Sequence, residues 1–180
     1  MTTNVAASRV GELFAQHAAT LYGYCARRVG QQRAEDLVAE VFVVALRRQR
    51  ELSGLAVDPL AWLYGIATNV VRRHRRDEIR AYRILARTGV DPLGDATGVV
   101  EGHEDSSAER ADASRTMRRL AGCLAALPAR QREVLLLFAV AELSYAQIAS
   151  ALDIPIGTVQ SALHRARQRM RDALAEGDHR

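Results

Sequence analysis

The sequence predicts an all-α protein: two small helical domains joined by a flexible acidic linker, the C-terminal domain a helix-turn-helix. Three observations carry this expectation. Apolar residues recur at three- and four-residue spacing along most of the chain, with no strand-length alternation and no Asn-Gly or Asp-Gly hairpin turn. Charge falls into three blocks. Residues 1–90 hold fourteen Arg against eight acids (net +6), residues 91–113 one Arg against seven (net −6), and residues 114–180 ten against six (net +4). Finally, residues 144–170 combine a capped short helix, a tight break and a longer helix.

The elements follow in order. Leu13, Phe14, Ala18, Leu21, Tyr22, Cys25 and Val29 form a first apolar stripe, which Gly30 ends. Ala34, Leu37, Val38, Val41, Phe42, Ala45 and Leu46 form a second, with Arg33, Asp36, Glu40 and Arg47 on the outer face. Ser53-Gly54 breaks the pattern, and Asp58-Pro59 is an N-cap and first-turn pair. The helix it opens turns Leu60, Leu63, Ile66, Ala67, Val70 and Val71 inward, with Trp62 partly inward, and runs into Arg72, Arg73, His74, Arg75 and Arg76.

The acidic stretch 91–113 has few large apolar side chains and cannot bury enough surface to fold alone. The expected domains are therefore 1–90 and 114–180, with 91–113 the linker. In the second domain Met117, Leu120, Cys123, Leu124 and Leu127 form a short stripe ended by Pro128, and Val134, Leu135, Leu137 and Phe138 mark the next helix. Ser144 caps a helix buried through Ile148, Ala149 and Leu152. Asp153-Ile154-Pro155 makes the turn, with Asp153 where a positive φ is wanted. Val159, Leu163, Ala166, Met170 and Leu174 form the inner stripe of the last helix.

Composition excludes several functions. The chain has 180 residues and 25 basic side chains, every one an Arg. Arginine's planar fork suits phosphate, although a GC-rich genome produces the same bias. No run of about 18 apolar residues offers a membrane span, and residues 1–9 lack the pattern of a secretory signal. Cys25 and Cys123 have no metal-ligand spacing, and the five His, at 17, 74, 103, 164 and 179, are scattered. A reducing cytosol is expected, with no metal, no cofactor and no catalytic set.

Three motifs carry chemistry. In the helix-turn-helix, Thr158, Gln160, Ser161, His164, Arg165 and Gln168 lie off the buried stripe. They suit a major groove, Arg165 for guanine or phosphate and Gln160 for adenine; an αα-hairpin with a solvated polar face has the same pattern. The segment DPLAWLYGIATNVVRRHRRDEIR joins an aromatic cluster to four Arg within five residues. Such a segment can hold unstacked bases and phosphates, or simply end a helix with charges that answer its dipole. In QRAEDLVAEVFVVALRR, core packing accounts for the stripe, while Asp36 and Glu40, four apart, make an acidic spot suited to protein docking.

AEDLVAEVF, DPLAWLYGIATNVVRRHRR, LPARQREVLLLFAV and LSYAQIASALDIPIGTVQSALHRAR, in this order, resemble the sigma factors of bacterial RNA polymerase. The similarity is greatest to the small extracytoplasmic-function (ECF) group, which keeps the second and fourth conserved regions. The resemblance implies a dissociable, non-catalytic subunit that directs the polymerase to promoters. It implies that the helix around Asp36, Glu40 and Phe42 docks on the clamp of the largest subunit. Residues 49–58 and the helix with Trp62, Asn69, Arg72, Arg73, Arg75 and Arg76 then open and read the −10 element, flipping a base. Thr158, Gln160, Ser161, His164, Arg165 and Arg167 read the −35 element. It further implies contact with the polymerase flap, passage of the linker through the RNA channel, and the option of an anti-sigma partner. The chain departs from the pattern at Gln160 and Ala162, where basic residues are common, at Asp153 in place of a turn Gly, and at Ala39 on the docking helix.

Two other classes fit less of the chain. A response-regulator output domain shares the LPARQREVLLL-to-helix-turn-helix run but would need alternating strands and helices in residues 1–90, where only helices are predicted. A nucleic-acid enzyme would need clustered His, Asp or Glu.

Overall fold

A computed structural model describes residues 2–52, 58–89 and 107–175. The linker residues 91–106 and the Ser53-Gly54 break lie outside them. The described residues form nine helical segments and no strand: α1 (Thr2–Val29), α2 (Gln31–Arg47), α3 (Gln49–Leu52), α4 (Pro59–Arg73), α5 (Arg75–Thr88), α6 (Ser107–Ala126), α7 (Ala129–Ala139), α8 (Tyr145–Leu152) and α9 (Ile156–Ala175).

Local chemistry sets most boundaries. Gly30 adopts φ 88° between α1 and α2, a conformation a side chain would resist. Asp58 accepts the Leu60 amide at 2.9 Å and caps α4, with Pro59 in its first turn. Ser144 and Gln147 form a reciprocal capping box on α8. Asp153 ends α8 in the left-handed region, φ 51° and ψ 57°, as the turn requires.

Two boundaries and the burial of three side chains depart from expectation. α6 starts at Ser107, inside the stretch assigned to the linker and seven residues before Ser114. The α4 helix does not run on through the Arg cluster. It breaks at His74, whose amide bonds back to the Val71 carbonyl in a tight turn, and α5 starts at Arg75. Phe14, Leu46 and Met117, read as inward, are 50%, 43% and 41% exposed.

Packing joins the two halves. α1, α2 and α4 form the first core, and α7, α8 and α9 the second. α6 lies along α5, and α8 lies along α4, so one continuous apolar cluster runs from Val10 to Leu163. As a result α4 is buried on nearly every side, from Ala61 to Thr68 without interruption. A helix apolar all round needs neighbours all round: the core of its own domain supplies one side and α8 the other.

Candidate nucleic-acid interface

The helix-turn-helix presents one polar face. Val159, Ala162, Leu163 and Ala166 bury one side of α9, while Gln160, His164, Arg165, Arg167 and Gln168 are exposed and Thr158 and Ser161 half-buried. Tyr145, Gln160, Leu163, His164, Arg167 and Arg171 line a groove of about 360 Å³ beside it. Arg165 is free to reach outward beyond one bond, from Nε to the Ser161 carbonyl at 3.2 Å. Arg167 is more committed, its guanidinium lying 4.7 Å from the centre of the Phe138 ring. The Ser161 hydroxyl donates to the Thr158 carbonyl at 3.1 Å, which ties it to the helix backbone. Ala162 is 5% exposed and part of the core.

The second basic surface surrounds the bend at His74. Arg73, Arg75, Arg76, Arg80, Arg83 and Arg87 line a groove of about 1300 Å³ there. Asn69, Arg72, Arg73, Arg75 and Arg76 are exposed. Two of these predicted residues are already engaged. Arg73 pairs with Glu40 on α2. Arg72 grips the Glu133 carboxylate on α7, and that hydrogen bond, its largest influence, holds the guanidinium even more firmly protonated than usual. Trp62 is not the open stacking platform its motif suggested. It is 8% exposed, and its indole N–H has no partner among the described residues. Its neighbour Tyr64 packs edge-on to Tyr24, and burial pushes its hydroxyl up to about 12.

The proposed docking helix is also divided. Asp36 is exposed, while Glu40 is half-buried between Arg73 and His74. Phe42 belongs to the core at 6% exposure, its ring edge-on to Phe14 at 4.9 Å, because its position on α2 points at α1. Val43 and Leu46 are the exposed apolar residues of this helix.

Comparison with known proteins places the chain. Residues 13–81 match the family "Sigma-70 region 2" and residues 117–170 "Sigma-70, region 4". The ECF RNA polymerase sigma factor SigL of Mycobacterium tuberculosis is 32% identical over 165 residues, 91% of this chain and 88% of that protein. SigD of the same species is 34% identical over 162 residues, 87% of this chain and 73% of the other. The sigma factor HrpL of Pseudomonas syringae pv. syringae is 29% identical over 171 residues, 92% of this chain and 86% of HrpL. The chain belongs to the ECF sigma factors. Two solved structures share its fold: RpoE with the anti-sigma factor NepR from Bartonella quintana (TM-score 0.59, 22% identity, 92% of this chain and 96% of that one), and CnrH with the cytosolic domain of CnrY (0.61, 23%, 98% and 96%).

This sigma factor is therefore a non-catalytic subunit that gives bacterial RNA polymerase its promoter recognition and takes part in initiation. Among the described residues no helix is long and apolar enough to cross a membrane. Reading the motifs missed two groups in the sigma factor. Arg80, Arg83 and Arg87 continue the basic face from Arg76 at spacings of four, three and four, a signal present in the sequence but beyond the Arg cluster that drew attention. Arg28, Glu78 and Arg132 are charged yet only 1–2% exposed. Glu78 keeps helical spacing with Ala81, Tyr82 and Leu85, but the contact itself joins α1, α5 and α7 and shows in none of them alone.

Proposed function

We propose that the sigma factor reads two promoter elements with two separate surfaces. α9 enters the major groove of the −35 element and uses Thr158, Gln160, Ser161, His164, Arg165 and Arg167, with Arg165 the main base or phosphate contact. α4 and the start of α5 open and hold the −10 element through Asn69, Arg72, Arg73, Arg75 and Arg76, with Trp62 supporting α4 from the core. The stripe Arg80, Arg83 and Arg87 extends that grip along duplex phosphates. In this reading residues 1–90 and 114–180 act as the two domains and the acidic 91–113 as the leash between them, in the cytoplasm.

One observation carries it. The polar side of α9 is open to solvent opposite a fully buried stripe, on a helix-turn-helix whose cap and left-handed turn are both formed. Run-off transcription with core polymerase and a library of genomic promoters tests it. Initiation restricted to promoters sharing two elements supports the reading, and template-independent or absent initiation overturns it.

Docking on the polymerase clamp is assigned to Asp36 and Glu40 on α2, with Phe42 supporting that helix from the core, and docking on the flap to the second domain. An anti-sigma partner is also proposed. The solved relatives RpoE and CnrH are each seen with a partner, NepR and CnrY, and Phe14, Val43 and Leu46 leave apolar surface on α1 and α2 uncovered.

A further inference from the structure

We propose that Phe138 is a positioning residue for promoter recognition: its ring holds the Arg167 guanidinium toward a backbone phosphate of the −35 duplex and leaves every N–H of that guanidinium available. It rests on the reading above that places Arg167 against the −35 element.

The polar residues of α9 fall on two lines. Thr158, Ser161, Arg165, Gln168 and Asp172 follow one another at spacings of three and four, and this line is largely satisfied within the helix. The Ser161 hydroxyl donates to the Thr158 carbonyl, Arg165 Nε to the Ser161 carbonyl, and Gln168 Nε2 to Asp172 Oδ1 at 2.8 Å. Gln160, His164, Arg167 and Arg171 form the second line, which borders the groove of about 360 Å³ together with Tyr145. Arg171 is drawn off that line, its Nη2 donating to Gln168 Oε1 at 2.7 Å. Arg167 is different. It has no hydrogen bond or ion pair among the described residues, and its guanidinium carbon sits over the Phe138 ring, 4.7 Å from the centre.

A cation over a ring face is held by the ring's quadrupole, which takes up none of its N–H donors. An exposed arginine without such a seat samples many rotamers and loses that freedom on binding. The seat here is rigid. Phe138 is the next-to-last residue of α7 and packs against the core, and its ring lies 5.7 Å from that of Tyr145, the first residue of α8. Two helices that do not read bases thus fix a side chain on the one that does.

The position of Arg167 selects the ligand. It is the twelfth residue of α9, about 16 Å along the helix from Ile156. In a helix-turn-helix the first residues of the second helix meet base edges, while the first helix crosses the backbone. Arg167 lies beyond those turns, on the line that shares its groove with the start of α8. A phosphate suits that place, and a planar fork with all its donors available can grip two of its oxygens.

The test uses holoenzyme made from the full chain and core polymerase. Its affinity for a labelled promoter duplex, chosen from those it uses in run-off transcription, is measured between about 50 and 200 mM salt. Arg167→Gln should weaken binding at least about fivefold and flatten the slope of log affinity against log salt by about 0.9. Phe138→Leu should weaken it about two- to fivefold, the worth of a cation–π contact at an exposed site, with slope and −35 sequence preference unchanged. Phe138→Tyr, which keeps the ring, should bind as wild type. In the Arg167→Gln background, Phe138→Leu should have no further effect. Phe138→Met, similar in volume but without a ring, carries the test should Phe138→Leu not fold. Equal losses from Phe138→Leu with and without Arg167, or wild-type affinity in folded Phe138→Leu or Phe138→Met, overturn the positioning role and leave Arg167 on the DNA. Wild-type affinity and slope in Arg167→Gln take Arg167 off the −35 element and overturn both.

Discussion

Arg72 and Glu133, 61 residues apart, form a two-pronged pair: Nε donates to Oε1 at 3.0 Å and Nη2 to Oε2 at 2.9 Å. The two ends differ in setting. Arg72 is 45% exposed and Glu133 only 4%. Losing Glu133 returns Arg72 to water, while losing Arg72 strands a carboxylate. Arg72→Gln should thus destabilise the chain by about 1–3 kcal/mol and Glu133→Gln by less than about 1 kcal/mol, the discount reflecting solvent around Arg72. Urea unfolding of both variants measures the asymmetry, and equal losses would contradict it.

The buried cluster around Glu78 makes a stronger demand. Burial works against the charge of Arg28, yet Tyr24, Glu78 and Tyr82 around it more than compensate, and it is held protonated beyond the ordinary range. Glu78→Ala leaves Arg28 and Arg132 facing each other at 1% exposure each, with no carboxylate between them. A loss of roughly 3–5 kcal/mol is expected, read as a lower thermal midpoint. Glu78→Gln, which keeps the acceptor oxygen, should lose less.

Much of this fold is legible in the sequence, for a local reason. Gly30, Asp58-Pro59, Ser144 and Asp153 act on backbone within a few residues of themselves, so their effect follows from identity and position alone. What is not legible depends on the other half of the chain. Trp62 is buried because α8 and the core of the first domain enclose α4. The same holds for the contact of Arg28, Glu78 and Arg132, which joins three helices far apart in the sequence. One available clue lay in α4 itself. The run PLAWLYGIATNVV has no polar face wide enough for a surface helix, so a second neighbour was required.

Clamp docking narrows to one exposed acid. Glu40 already serves Arg73, and reversing it also frees that arginine. Asp36 is exposed on the first turns of α2, with no ion pair among the described residues. Asp36→Arg should weaken binding to core polymerase, measured by competition with a labelled sigma factor, without moving the thermal midpoint. Reversal of both Asp36 and Glu40 should weaken it further. Unchanged affinity in the double variant removes α2 from the docking surface.

On the duplex side, Arg165 is exposed on α9 and tied only through Nε to the Ser161 carbonyl, so Arg165→Ala should cost about 1–3 kcal/mol at its base position, roughly 5- to 150-fold in −35-dependent transcription. The cap of the preceding helix acts differently. Ser144→Ala removes one side of the capping box and should lower stability by about 1 kcal/mol, with base preference unchanged. A shift of preference in Ser144→Ala, or none of either kind in Arg165→Ala, would reverse these roles.

The arginine stripe on α5 separates phosphate contact from base reading. Arg76, Arg80, Arg83 and Arg87 are exposed, and none has an ion-pair partner among the described residues. From the first to the last, eleven residues rise about 16 Å, close to five base pairs of duplex at about 3.4 Å each. Each arginine that meets a phosphate releases counterions on binding, contributing about 0.9 to the slope of log affinity against log salt. Replacing Arg80, Arg83 and Arg87 with Gln should therefore flatten the salt dependence of holoenzyme–promoter binding by about 2–3 and weaken all promoters alike, since phosphates are the same at every sequence. The substitutions touch only exposed positions, so helix content should be preserved. A slope equal to wild type would place the stripe off the DNA, and a change in preferred −10 sequence would give it a base-reading role that its spacing does not predict.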